Sequence, residues 1–124
     1  MKPEAAAFIA YARRLLHDAT TMVESGLSDH AARTAYLACF HTARAYIFER
    51  TDHLAKTHKG VQIEFARLTK DDLALAPDLR AFLSRAYAYK AMADYETSVG
   101  DTLNGPEARD VIEIAERFVA WFGR

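Results

Sequence analysis

The stretch SDHAARTAYLACFHTARAYIFERTD, residues 28–52, decides the fold. Ala32, Ala35, Tyr36, Cys39, Phe40, Ala43 and Ile47 recur at three- and four-residue steps, which places them on one face of an α-helix. Small residues at regular intervals along that stripe let a neighbouring helix approach closely. Arg33, Leu37 and Arg44 fall near a second line of the same helix, with His41 at its edge. Ser28 suits the cap, because its hydroxyl can accept an N–H bond that the first turn leaves open.

Upstream, Pro3 suits a first helical turn, where its missing N–H costs nothing. Phe8, Tyr11, Ala12, Leu15, Leu16, Ala19 and Met22 predict an apolar face on a helix from Pro3 to about Glu24, stopped by Ser25-Gly26. Downstream, Thr57 reads as the cap of a third helix, His58 to about Leu68. Its first turn exposes His58 and Lys59, and Val61, Phe65 and Leu68 face inward. Thr69 to Pro77 reads as a loop or short helical turn. A fourth helix from about Asp78 to Asp94 or beyond buries Leu79, Phe82, Leu83, Ala86, Tyr89 and Ala93. After the turn at Asn104-Gly105-Pro106-Glu107, a last helix carries Val111, Ile112, Ile114, Ala115, Phe118, Val119 and Phe122. Short connections between these helices predict an all-α antiparallel bundle of four to five helices, forming one domain over residues 1–124.

Composition agrees with this reading. The 124 residues hold 24 Ala against five Gly and three Pro, a balance that favours helices over turns. No apolar run approaches the roughly 20 residues needed to span a bilayer, and no secretory signal is visible, so a cytoplasmic protein without membrane association is expected. Sixteen Lys and Arg against seventeen Asp and Glu argue against a broad nonspecific grip on nucleic acid. The charge is uneven, however. Residues 1–70 carry ten Lys/Arg and seven Asp/Glu, and residues 71–124 carry six and ten. All five histidines, His17, His30, His41, His53 and His58, fall in the basic part. That distribution is either chance or a dipolar surface whose basic face meets an anion or acidic partner.

Tests for specific chemistry exclude several classes. A helical di-iron site uses Glu-x-x-His pairs, and no Glu here is followed by His at that spacing. No metal and no cofactor is expected. Cys39, the single cysteine, lies on the core stripe and reads as a small buried apolar residue rather than a nucleophile. Neither a Gly-rich phosphate loop nor a Gly-x-Ser-x-Gly elbow occurs. One polar feature stands out. Lys90 sits close to the apolar stripe of the fourth helix, with Asp94 four residues on, so the two can pair on one face. Either the Lys90 stem lies along the core with its head in water, or Lys90, Asp94, Tyr95 and His58 form a semi-buried polar cluster able to bind an anion.

Three blocks, in this order, resemble HEPN-domain proteins: Arg33 to Ala45, Lys56-Thr57-His58-Lys59-Gly60-Val61 with Phe65, and Lys90-Ala91-Met92-Ala93-Asp94-Tyr95. The resemblance covers about residues 5–122. It implies a helical bundle that commonly forms a homodimer and is often paired, in toxin–antitoxin systems, with an MNT-type nucleotidyltransferase. It also implies, for many members, metal-independent ribonuclease activity, in which a paired Arg and His act at the RNA 2′-hydroxyl. This sequence departs from that pattern. The usual motif is Arg followed by His after four to six intervening residues on a late helix, and no His follows His58. Where the nearest branch of the family has Arg, Lys90 stands; it keeps the charge but loses the planar fork that suits phosphate.

Two functions are therefore expected from the resemblance. One is a dimeric module that binds RNA or a nucleotide, together with a nucleotidyltransferase partner, through Arg33, His41, Arg44, Lys59, Asp94 and Tyr95. The other is a ribonuclease toxin with a non-standard site, in which His58 performs acid–base chemistry and Lys90 or an arginine offsets phosphate charge. An unrelated helical scaffold is the remaining reading.

Overall fold

The computed structural model describes residues 1–94 and 103–123. Among the described residues there are five helices and no strand: α1 Pro3–Glu24, α2 Ser28–Thr51, α3 His58–Leu68, α4 Pro77–Asp94 and α5 Gly105–Phe122. The antiparallel bundle is built around α2, which packs against each of the other four helices.

The stripe on α2 is buried as the spacing predicts, but burial extends around most of the helix. Ala38, Thr42 and Ala45 are as inaccessible as Ala35, Cys39 and Ala43. Ala45 packs with Ala5 and Ile9, and Ala38 with Ala12, Leu15 and Val119. A helix enclosed on several sides needs small residues on every enclosed side, which explains the alanines outside the main stripe. Thr42 sits there without an unpaired hydroxyl, since its Oγ1 donates to the Ala38 carbonyl at 2.9 Å.

Local sequence fixes the ends of these elements. Thr57 caps α3 by accepting the Gly60 N–H at 3.0 Å. Asn104 and Glu107 form a reciprocal capping box at the start of α5, with bonds of 2.8 and 3.1 Å. The start of α2 differs from expectation. Leu27 occupies the cap position without a side-chain bond, and Ser28 is already inside the helix and buried. Its neighbour Asp29 does the polar work, accepting the Leu103 N–H at 3.1 Å and tying α2 to the entry of α5.

The face of α1 is rotated slightly from the predicted one. Ala5, Ile9, Ala12, Leu15, Ala19 and Val23 are buried, whereas Tyr11 is 40% exposed. On α4, Leu79, Phe82, Leu83 and Ala86 are buried as predicted, and Tyr89 and Ala93 only half-buried. No helix among the described residues is long and apolar enough to cross a membrane.

Candidate functional site

One strip of α2, running from Arg33 to Arg44, collects most of the polar and aromatic residues singled out in the sequence. At its first end, α4 supplies a partner for Arg33. The Arg33 Nε donates to Asp94 Oδ1 at 2.6 Å, and Lys90 Nζ donates to the other oxygen, Oδ2, also at 2.6 Å. One carboxylate thus bridges two cations from two helices. The side chains are 34% exposed at Arg33, 25% at Asp94 and 19% at Lys90, so all three meet solvent. Hydrogen bonding from Lys90, joined by Arg33, holds the Asp94 carboxyl below its usual range, although its partial burial works the other way.

One turn further along α2, against Tyr36 and Phe40, stands His58 of α3. The sequence placed it in an exposed first turn of α3; it is half-buried instead. Its ring stacks on Phe40 at 4.3 Å between centroids and lies 5.7 Å from the Tyr36 ring, with Tyr87 of α4 at 5.3 Å. Its Nδ1 is 2.7 Å from the Tyr36 hydroxyl. Burial raises the Tyr36 phenol well above its ordinary value, so the hydroxyl keeps its proton and can either donate to this nitrogen or accept from it. In either direction the bond engages Nδ1 of His58 and leaves Nε2 as its other ring nitrogen. Desolvation lowers the His58 pKa, and Lys90 and Arg33 add to the lowering while Asp94 opposes it. The four groups are therefore within electrostatic reach of one another.

His41 and Arg44 form a second group at the other end of the strip. The His41 ring contacts Tyr11 at 4.9 Å and meets Phe40 edge-on at 5.2 Å. Burial, with smaller contributions from Arg44 and His58, pushes its pKa down to about 4. Arg44 lies over Phe8 at 4.5 Å and Phe40 at 5.7 Å, and its Nε donates to the Ala55 carbonyl at 2.8 Å. That carbonyl and those ring faces fix the guanidinium on the α2–α3 connection. Phe40 is the wall shared by both groups.

Of the residues proposed from sequence, Arg33, His58, Lys90 and Asp94 come together in one group, and His41 and Arg44 in the other. Lys59, next to His58 in sequence, is exposed. Tyr95 lies outside the described residues. Three participants were not anticipated: Tyr36 as the partner of His58, Phe40 as the shared wall, and Tyr87. Tyr87 precedes Lys90 by three residues and Asp94 by seven, the spacing of one helical face, so a signal for it existed. A surface depression of about 440 Å³ between α3 and α4, bordered by Thr69, Lys70, Leu73 and Arg80, is lined by none of these residues. Groups of three or more His, Cys, Asp or Glu able to hold a metal are absent among the described residues.

A family model for the HEPN domain matches residues 5–124. The chain belongs to the HEPN-domain family. A UPF0332 protein of Archaeoglobus fulgidus is similar to it, with 34% identity over 87 residues that cover 70% of this chain and 68% of that protein. In this HEPN domain the polar group is assembled from three separate helices, α2, α3 and α4. It does not depend on an Arg–His pair spaced along one helix.

Proposed function

We propose that this HEPN domain is a dimeric binding module that takes RNA or a nucleotide on the Arg33–His58–Lys90 surface and engages an MNT-type nucleotidyltransferase. One observation carries the reading: the cations, the imidazole and the exposed Tyr87 ring line one open strip, and each has a binding use. Arg33 and Lys90 supply charge for phosphate. Tyr87, 38% exposed beside His58, supplies a ring on which a base can stack. His58 supplies a second ring nitrogen, Nε2, for a hydrogen bond.

The same geometry disfavours cleavage by this surface. A histidine that serves as general base needs a free ring nitrogen directed at the hydroxyl it deprotonates. In His58, Nδ1 is engaged with the Tyr36 hydroxyl, which leaves a single ring nitrogen, Nε2, for that task. Arg33 and Lys90 already share the Asp94 carboxylate, which reduces the charge they can offer a transition state.

The test has two arms. Purified protein incubated with RNA in EDTA is expected to bind without cleaving, and Arg33→Ala with Lys90→Ala to abolish binding. Co-expression with an MNT-type nucleotidyltransferase is expected to yield a stable complex. Cleavage that persists in EDTA and disappears in His58→Ala would replace this reading with the ribonuclease one.

A further inference from the structure

The Asp94 carboxylate occupies the position an incoming phosphate needs. Its two oxygens take one cation each, Arg33 Nε and Lys90 Nζ, both at 2.6 Å, as two oxygens of a phosphate would. The three side chains are only partly buried, so an anion from solvent can compete for the cations. Ion pairs of this exposure contribute little to stability.

We propose that Asp94 is a built-in competitor that sets a charge threshold on this surface, admitting a terminal phosphate monoester in preference to an internal phosphodiester. The inference rests on the anion-binding reading above. Its physical basis is charge exchange. Replacing a carboxylate by a phosphodiester replaces one negative charge with another, so the two cations gain little. A terminal phosphate carries about −1.5 to −2 at pH 7 and has three acceptor oxygens, so it displaces the carboxylate at a gain. The Asp94 side chain yields its place, and Arg33 and Lys90 pass from an internal anion to an external one. The device therefore selects RNA ends or mononucleotides over the interior of a strand.

The experiment compares one short RNA sequence bearing either a 5′-phosphate or a 5′-hydroxyl, bound to the wild-type protein and to Asp94→Asn. The wild type is expected to favour the phosphorylated form about tenfold, the scale of two partly exposed ion pairs. Asp94→Asn is expected to bind the hydroxyl form about tenfold more tightly than wild type does, shrinking the preference to about threefold or less. Asp94→Ser provides the same comparison if the Asn variant folds poorly. The wild-type preference is also expected to fade as the pH falls through about 6, where the terminal phosphate takes up its second proton. Wild type and variants that bind RNA with the same preference would overturn the inference and leave the anion-binding reading standing. If no protein of the set binds either RNA, the anion-binding reading fails, and the threshold with it.

Discussion

Acid is expected to weaken this fold in a window set by His41. Its ring is half-buried against Tyr11 and Phe40, beside the Arg44 guanidinium, and its pKa is pushed from the usual 6.5 down to about 4. In the unfolded chain His41 takes up a proton near pH 6.5, whereas in the folded chain it resists until about pH 4. The unfolded state therefore binds more protons between those values, and stability falls as pH falls across them. The full separation corresponds to about 3 kcal/mol at ~1.4 kcal/mol per pH unit. Solvent reaches part of the ring and screens the effect, leaving about 1–2 kcal/mol, or roughly 5–10 °C in Tm for a domain of this size. Carboxylates do not obscure the window. Glu64, lowered by its hydrogen bond from Arg67, and Asp94, lowered chiefly by Lys90, give up their contributions only below their ordinary values of 4.5 and 3.8. Urea unfolding at steps between about pH 7.5 and 5 measures the slope. His41→Phe keeps the aromatic contacts and removes the titrating nitrogens, so the difference in slope between the two proteins isolates this ring from His58. An NMR titration of His41 with a midpoint at or above 6.5, or an identical pH slope in His41→Phe, would refute the reasoning.

Three other substitutions have outcomes that follow from single contacts. Gly60→Ala, ordinarily a gain inside a helix, is expected to destabilise by about 1 kcal/mol. A Cβ there would stand 2.7 Å from Thr57 Oγ1, the atom that caps α3, and a thermal melt reads the sign. Asp29→Ala removes a buried carboxylate that accepts the Leu103 N–H, and a loss of about 1–3 kcal/mol in urea unfolding is expected. Lys90→Ala is expected to weaken RNA binding and flatten its salt dependence by about one ion, while changing Tm little. A large fall in Tm with unaltered binding would instead mark Lys90 as structural.

The fold was legible because its signals are periodic. A stripe of small and apolar residues on α2 and a threonine cap at α3 act locally, and local rules read them correctly. The misses share one cause, which is that neighbours from distant parts of the chain set the outcome. Tyr11 fits an apolar face by spacing, yet it stays exposed because Ala12 and Leu15 already fill the contact of α1 with α2 and α5. Ser28 is the residue type that caps helices, but the demand for a polar partner comes from the backbone at Leu103, and Asp29 answers it.

The candidate site divides along the same line. Lys90 and Asp94 lie on one helix four residues apart, so their pairing could be read from spacing. Arg33 joins them across 61 positions of sequence, and His58 meets Tyr36 across 22, distances over which no periodicity carries information. The block resemblance bridged that gap only by marking which segments matter, without saying which atoms touch. What the sequence left open was the sense of the site's charge. A basic half and an acidic half suggested a surface waiting for an anion; in the folded chain the acidic half has already delivered one, Asp94, to the basic half's Arg33. On the reading proposed above, the affinity of this surface for phosphate depends on how readily that one carboxylate yields.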